Sequence, residues 1–259
     1  MGRRVVTLTT DYGGRDGYAA ALKGVILSDA PDATVVDVTH EIAPGDVLQA
    51  AWVLATTWRA FPEGTIHLAV VDPEVGSPRR GVAIAVDGHV FVGPDNGLFT
   101  LVIDRSADGR AYELTNRALW RQPPAPTFHG RDIFAPVAAA LARGMAPEQV
   151  GTEVRAVQVL PAAKPTRRDD GSLVGHIVHV DRFGNCVTDL AADALPAAQV
   201  AVRCGGHRID ELVHYYAEAP RGRLVALVNS SGYLEVARRD GSAAEELGAR
   251  RGDEVVVTA

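Results

Sequence analysis

Three side chains of this sequence could together act on a water molecule. Asp72 follows an apolar run and opens the segment Asp72-Pro-Glu-Val-Gly-Ser-Pro-Arg79, which puts a carboxylate and a guanidinium on one loop. His129 lies on a separate loop ahead of a helix-like segment. An Asp, an Arg and a His could position and polarise a water for attack. On spacing alone, a capping Asp, a surface Arg and a loop His remain the favoured alternative.

Asp11 and the glycines that follow it favour a site for a nucleoside. A carboxylate at the end of a strand can accept two hydrogen bonds from a ribose diol, and Gly13-Gly14 would let the backbone approach a ligand closely. The G-x-G-x-x-G spacing of dinucleotide-binding proteins is absent, and so is the G-K-[ST] of a P-loop. We therefore expect recognition of a nucleoside without a polyphosphate, in preference to NAD or ATP.

Two polar turns in the second half of the chain are further candidates for binding. In Asp181-Arg-Phe-Gly-Asn185, the amide of Asn185 could recognise a base edge and Phe183 could stack on the base. An ordinary β-turn is slightly favoured there on local grounds. The segment Asn229-Ser-Ser-Gly-Tyr-Leu-Glu235 is equally open, since its small polar groups could bind a ligand or only turn the chain.

No metal site is predicted. His176 and His179 stand three residues apart on a predicted strand and would point to opposite faces. Asp37, His40 and Glu41 fit a cap at a strand end better than a metal cluster. The two cysteines cannot form a disulfide framework or a four-ligand zinc site. We therefore expect two reduced thiols in the core of a cytoplasmic protein.

Strands and helices alternate over the first 160 residues, which indicates an α/β domain with a mainly parallel sheet. Strands are predicted at residues 5–10, 34–39, 65–72, 81–86 and 89–92, and helices at residues 18–27, 47–58 and 133–143. Asp87-Gly88 predicts a hairpin turn between two of the strands. Ligands of such sheets lie beyond the carboxyl ends of the strands, where Asp11, Asp72 and the loop 123–132 are expected.

The pattern changes near residue 161. Residues 161–172 combine Pro, Gly and charged residues without periodicity, which is typical of a linker. Short β-rich runs follow at residues 173–180, 200–204, 224–228, 233–237 and 254–258. We expect residues 1–160 to form the α/β domain and residues 173–259 to form a smaller all-β, barrel-like domain.

Composition argues against partners other than a small molecule. The 26 basic and 32 acidic residues give a net charge of −6 without a basic block, which disfavours nucleic acid as a ligand. No apolar segment resembles a signal peptide, and none approaches the roughly 18 residues of a membrane span. The expected location is the cytoplasm.

Six segments in order resemble motifs of the S-adenosylmethionine hydrolase family, also called the S-adenosylmethionine hydroxide adenosyltransferases. These segments are Thr9-Thr-Asp-Tyr-Gly13, Val70-Val-Asp-Pro-Glu-Val-Gly76 with Arg79, Gly93-Pro-Asp-Asn-Gly97, Phe128-His-Gly-Arg-Asp132, Asp181-Arg-Phe-Gly-Asn185 and Asn229-Ser-Ser-Gly-Tyr-Leu-Glu235. The resemblance covers nearly the whole chain and extends to the related halogenases fluorinase and chlorinase. It implies an α/β domain followed by a barrel-like domain, and a homotrimer with active sites between subunits.

The same resemblance implies that Asp72, Arg79 and His129 are catalytic, because the hydrolases carry this set and the halogenases lack it. The chain has Gly130 where fluorinase has a halide-contacting serine, and it has Asp72 where both halogenases have tyrosine. Glu74 departs from the glycine common in the family, without changing the expected function.

Substrate contacts also follow from the resemblance. Asp11 would hold the ribose hydroxyls, Phe128 and Gly130 would line the site, and the remaining contacts divide between the two ends of the substrate. The methionine end would meet Asp16, Tyr18, Asp181 and Ser230 or Ser231, and the adenine would meet Phe183, Asn185 and Trp52.

The expected reaction is hydrolysis of S-adenosylmethionine to adenosine and L-methionine by attack of water at the ribose C5′, without a cofactor. Three alternatives stay open. A halogenase-like enzyme would use chloride as the nucleophile, a non-catalytic protein would bind adenosine or S-adenosylmethionine intact, and a metal-dependent hydrolase is the weakest of the three. Asp72 would repel a halide, which favours water.

Overall fold

The computed structural model describes residues 4–104, 106, 109–161, 164–196, 200–210 and 212–258. The chain divides into two compact units, Met1–Leu160 and Pro161–Ala259, and each is described by itself. Within the described ranges, no helix is long and apolar enough to cross a membrane. The boundaries 1–160, 161–172 and 173–259 stay a prediction.

The first unit is built on a mixed sheet with helices on both faces. Its strands are β1 (Val5–Thr10), β2 (Thr34–Thr39), β3 (Ile66–Val70), β4 (Gly81–Val86), β5 (His89–Pro94), β6 (Gly109–Glu113) and β7 (Thr152–Val154). Its α-helices are α1 (Tyr18–Asp29), α2 (Val47–Thr57), α3 (Thr100–Ile103) and α4 (Ala135–Ala142). The described strands lie in the order β2-β1-β3-β5-β4-β6-β7.

Strand direction makes this sheet mainly parallel, as predicted. β2, β1, β3 and β5 pair in parallel, while β4, β6 and β7 add antiparallel pairings. Leu68 and Val70 of β3 pack into the core beneath α1 and α4. On the opposite face, Ala69 and the following Val71 pack into the core beside α2 and α3. Both faces of β3 are therefore covered, which explains its uninterrupted apolar sequence.

Two local features position the loops that carry the candidate site. Asp87 and Gly88 both have positive φ, 47° and 77°, and form the predicted hairpin turn between β4 and β5. The helix expected over residues 133–143 begins earlier, as a π-helical turn over Gly130–Phe134 that continues into α4. This turn brings Gly130 and His129 to the start of the helix, and π-turns are frequent at functional sites.

The second unit contains a nearly closed, barrel-like sheet, which confirms the predicted β architecture. Its strands are β8 (Thr166–Arg167), β9 (Leu173–Val180), β10 (Cys186–Ala191), β11 (Ala201–Cys204), β12 (His207–Ile209), β13 (Leu212–Val213), β14 (Leu224–Val228), β15 (Tyr233–Arg238) and β16 (Glu254–Thr258), with one α-helix, α5 (Ala243–Leu247), in the described residues. The order is β12-β11-β16-β9-β10-β15-β14-β13, and β8 pairs with β9. The pairings are antiparallel except for β13 with β14.

Candidate active site

A cavity of about 560 Å³ opens at the carboxyl ends of β1 and β3, within the first unit. Its volume suits a ligand the size of a nucleoside. The residues that line it come from the ends of β1 and β3, the start of α1, the loop between β2 and α2, and the segment that leads into the π-turn: Asp11, Tyr12, Tyr18, Pro44, Gly45, Val70, Asp72, Pro73, Val75, Thr127, Phe128, His129 and Gly130. The location agrees with the general rule for ligands of α/β sheets.

Asp72, Arg79 and His129 are in direct contact at this cavity. Nε of Arg79 donates to one carboxylate oxygen of Asp72 at 2.9 Å, and Nη2 donates to the other oxygen. The same Nη2 lies 3.0 Å from Nδ1 of His129. The Asp72 and Arg79 side chains are only 5% and 6% exposed, so the ion pair is largely shielded from solvent.

The contact with Arg79 fixes the protonation of His129. A guanidinium stays protonated in proteins and can only donate, so Nδ1 of His129 accepts and the ring proton lies on Nε2. Burial, followed by the charge of Arg79, lowers the pKa of His129 below its ordinary value. His129 is therefore a neutral imidazole with one N–H left to donate.

Asp11 and Tyr12 stand side by side at the end of β1. One oxygen of Asp11 accepts a hydrogen bond of 2.9 Å from the backbone N–H of Gly45, and the side chain lines the cavity. The ring of Tyr12 packs against Tyr18 and Phe128, with ring centroids 5.9 Å away in both cases. Burial raises the pKa of Tyr12, and the charges of Asp11 and Asp72 act in the same direction.

The residues next to this set have structural partners. Nε of Arg80 donates to Asp95 at 2.9 Å, and the backbone N–H of Gln158 donates to the other oxygen of Asp95 at 2.7 Å. The amide of Asn96 donates to the carbonyl of Val71 at 2.9 Å. Asp95 and Asn96 thus hold the chain around the ends of β3 and β5.

In the second unit, Asp181 organises the turn that carries Phe183 and Asn185. One of its oxygens accepts the backbone N–H groups of Phe183 and Asn185 at 2.8 and 2.9 Å. The other oxygen accepts the side-chain amide of Asn185 at 3.0 Å, and Asn185 is only 6% exposed. The ring of Phe183, by contrast, is 75% exposed.

A buried carboxyl group, Glu235, anchors the other polar turn. It accepts hydrogen bonds from the hydroxyl of Tyr216 at 2.7 Å and from the amide of Asn229 at 3.2 Å. Burial raises the pKa of Glu235, and the charge of Asp181 adds to this. Asn229 in turn accepts the N–H of Ser231, so Glu235 fixes the turn that holds both candidate serines.

The structure groups the sequence-predicted residues only in part. Asp11, Tyr18, Asp72, Phe128, His129 and Gly130 line one cavity, and Arg79 contacts two of them, Asp72 and His129. Asp16 is exposed and Trp52 is buried on α2, and neither lines this cavity. Sequence reasoning missed Tyr12 and Glu235, although both lie inside quoted motifs.

The metal interpretation finds no supporting geometry in the described residues, where no three His, Cys, Asp or Glu side chains are placed to hold an ion. Asp37 instead accepts from Lys23 at 2.6 Å, with His40 3.1 Å from its other oxygen. Both cysteines are buried free thiols. That the protein works without a metal or cofactor stays a prediction.

Comparison with known proteins places the chain in a family. Residues 6–151 match the model of the SAM hydroxide adenosyltransferase N-terminal domain, and residues 175–256 match that of the C-terminal domain. An (R)-S-adenosyl-L-methionine hydrolase of Thermus thermophilus is 40% identical, over 96% of this chain and 97% of that protein. A fluorinase of an Actinoplanes species is 30% identical, over 99% and 98% of the two chains.

A solved structure gives the same result for the fold. The crystal structure of an uncharacterized conserved protein from Thermotoga maritima superposes with a TM-score of 0.91 at 34% identity, over 98% of this chain and all of that one. With both domain models matched in order across most of its length, the chain belongs to the SAM hydroxide adenosyltransferase family.

Proposed function

We propose that the protein hydrolyses S-adenosyl-L-methionine to adenosine and L-methionine by attack of a water molecule on the ribose C5′. The observation that carries this proposal is the contact of Asp72, Arg79 and His129 at a cavity of nucleoside size. The relative from Thermus thermophilus, which is named for hydrolysis of the (R) form of this compound, supports the same substrate class.

The reaction requires activation of the nucleophile, whereas the leaving group needs no general acid. The water oxygen bonds to C5′ while the electron pair of the C5′–S bond moves to sulfur, which leaves as the neutral thioether of methionine. The water must lose one proton during or after this step. A base placed to take such a proton contributes about 10²–10⁴-fold to the rate.

Asp72 is the acceptor for that proton in this arrangement. Each of its oxygens accepts one hydrogen bond from Arg79 and keeps capacity for another. His129 has its free proton on Nε2, so it donates to the water oxygen and orients it, while Arg79 holds both partners in place. His129 thus positions the nucleophile in this protonation state instead of deprotonating it.

Substrate recognition is assigned by the same proposal. Asp11 binds the ribose, and Phe128 and Gly130 line the pocket. The methionine end is assigned to Asp16, Tyr18, Asp181 and Ser230 or Ser231, and the adenine to Phe183, Asn185 and Trp52. The proposal includes a cytoplasmic homotrimer with active sites between subunits, without a cofactor, nucleic acid or membrane partner.

The decisive test is product analysis with purified protein. Both sulfonium epimers of S-adenosyl-L-methionine are offered, with and without chloride and with and without EDTA, and adenosine, methionine and 5′-chloro-5′-deoxyadenosine are separated by chromatography. We expect equal amounts of adenosine and methionine, independent of chloride and EDTA, and a strong loss of rate in His129→Ala. Intact substrate in every arm would refute the proposal. A chlorinated product would show that the nucleophile is chloride and not water.

A further inference from the structure

The hydroxyl group of Tyr12 fills the space directly beside Gly130. A methyl group built on Gly130 would collide with the hydroxyl oxygen of Tyr12. The next atoms, Cζ of the same ring and Cγ1 of Val70, would both lie 3.6 Å away, which is ordinary van der Waals contact. Of the three nearest atoms, only this oxygen lies too close to leave room for a methyl group beside Gly130.

The ring that carries this oxygen is held in place. Tyr12 packs edge-on against Phe128, with an interplanar angle of 74°, and tilted against Tyr18. Its backbone N–H donates to Oγ1 of Thr10 at 3.2 Å. A rotation of the ring away from Gly130 would disturb the whole aromatic cluster, so the position of the hydroxyl is part of the shape of the site.

The space in question adjoins the groups that hold the water. Gly130 follows His129 in the chain, and both line the cavity together with Asp72. The charge of Asp72 is also close enough to Tyr12 to raise the pKa of its hydroxyl. An atom beside Gly130 therefore limits the size of whatever occupies the position of the nucleophile.

We propose that the Tyr12 hydroxyl determines nucleophile specificity: it leaves room for water beside Gly130 and excludes nucleophiles one carbon larger. This inference rests on the proposed hydrolysis. Removing the hydroxyl opens a space of about the size of a methyl group, which methanol needs beyond water. Methanol is also uncharged, so Asp72 does not repel it.

The test measures competition between water and methanol. In the methanol reaction, its oxygen bonds to C5′, the C5′–S bond breaks, methionine leaves as the thioether, and the hydroxyl proton passes to Asp72. The products are 5′-O-methyladenosine and methionine. The enzyme is given the turned-over epimer in dilute aqueous methanol, and the ratio of 5′-O-methyladenosine to adenosine is measured.

In Tyr12→Phe, this ratio should rise at least about 10-fold above wild type, the smallest discrimination usual for one extra carbon in a pocket. Adding Gly130→Ala to Tyr12→Phe refills the space and should return the ratio to the wild-type value. Tyr18→Phe is the matched control. Tyr18 belongs to the same aromatic cluster, but none of its atoms is among the three nearest to a methyl group at Gly130, so its ratio should equal wild type. Tyr12→Leu also lacks the oxygen and should behave like Tyr12→Phe.

A ratio is independent of the amount of folded enzyme, so a merely structural role would leave it unchanged. An unchanged ratio in Tyr12→Phe and Tyr12→Leu, or an equal rise in Tyr18→Phe, overturns the inference. Absence of adenosine from the wild type refutes the proposed function instead. In that case, melting temperatures still test the contact between Tyr12 and Gly130. Gly130→Ala should lower the Tm of the wild-type protein and should lower that of Tyr12→Phe much less. Equal losses of Tm in the two backgrounds would refute the contact.

Discussion

Replacing Asp72 by asparagine tests the ion pair and the proton acceptor in one variant. Asparagine keeps the shape but offers one acceptor oxygen, and its NH₂ group would face the guanidinium of Arg79. Both side chains are at most 6% exposed, so Arg79 would keep a buried charge without a counter-ion. Removing one partner of such a pair costs about 3–5 kcal/mol of stability.

The same change should lower kcat by about 10²–10⁴-fold, because the acceptor for the water proton is lost. Asp95→Asn is the matched control. Asp95 is also buried and pairs with the neighbouring Arg80, but it does not line the cavity. Arg80 is 33% exposed, so solvent stabilises its charge and the loss of stability should be smaller than for Asp72→Asn. Turnover in this control should stay near wild type.

The two effects can be measured separately. The three tryptophans, Trp52, Trp58 and Trp120, all lie in the first unit, so urea unfolding followed by their fluorescence reports the stability of that unit. Adenosine formation under saturating substrate and without denaturant gives kcat. If Asp72→Asn is folded and loses no more activity than Asp95→Asn, then Asp72 does not accept the proton and the reasoning from geometry is refuted.

Three further predictions concern buried groups. Burial holds the pKa of His67 at about 3, against 6.5 ordinarily, so the unfolded chain takes up a proton that the folded one refuses. Unfolding free energy should therefore fall as pH drops from about 6.5 towards 3, by up to about 1.4 kcal/mol per pH unit, and His67→Gln should flatten this slope in urea titrations. Burial raises the pKa of Cys186 to about 12 and of Cys204 to about 11. Native protein should thus react slowly with a thiol reagent such as DTNB at pH 8 and rapidly in denaturant, and fast native labelling would contradict their burial. Glu235→Gln should lower the free energy of unfolding by about 1–3 kcal/mol, because one buried hydrogen bond is mismatched. The same change should raise KM more than it lowers kcat, which Michaelis curves would measure.

Much of the sheet could be predicted from local pattern. β1 and β2 have the predicted bounds because each is a run of β-branched residues followed by a loop. The hairpin turn between β4 and β5 follows from Asp87-Gly88. β10 is absent from the sequence prediction because it begins directly after the polar turn that ends at Asn185, with no loop to mark its start. The π-turn at Gly130 is not predictable from the sequence either. A glycine directly before an apolar run indicates a helix boundary, and nothing in the sequence indicates that the first helical turn would be a π-turn.

The site was less predictable than the fold. Asp72 and Arg79 are seven residues apart on one loop, so their pairing is a local possibility. The contact of Arg79 with His129 spans 50 residues and depends on how α4 packs, which spacing alone does not reveal. Tyr12 was overlooked for a similar reason, because the direction of a side chain just beyond a strand end is set by tertiary packing.

The adjacent residues Arg79 and Arg80 constrain how this protein can change over evolution. Arg79 pairs with Asp72 beyond β3, and Arg80 pairs with Asp95 beyond β5. An insertion or deletion within residues 73–78 would shift both arginines and break two ion pairs at once, one buried and one partly exposed. Exposed loops usually tolerate changes in length. This loop should instead accept substitutions while keeping its length, so libraries for directed evolution should vary its residues and leave their number fixed.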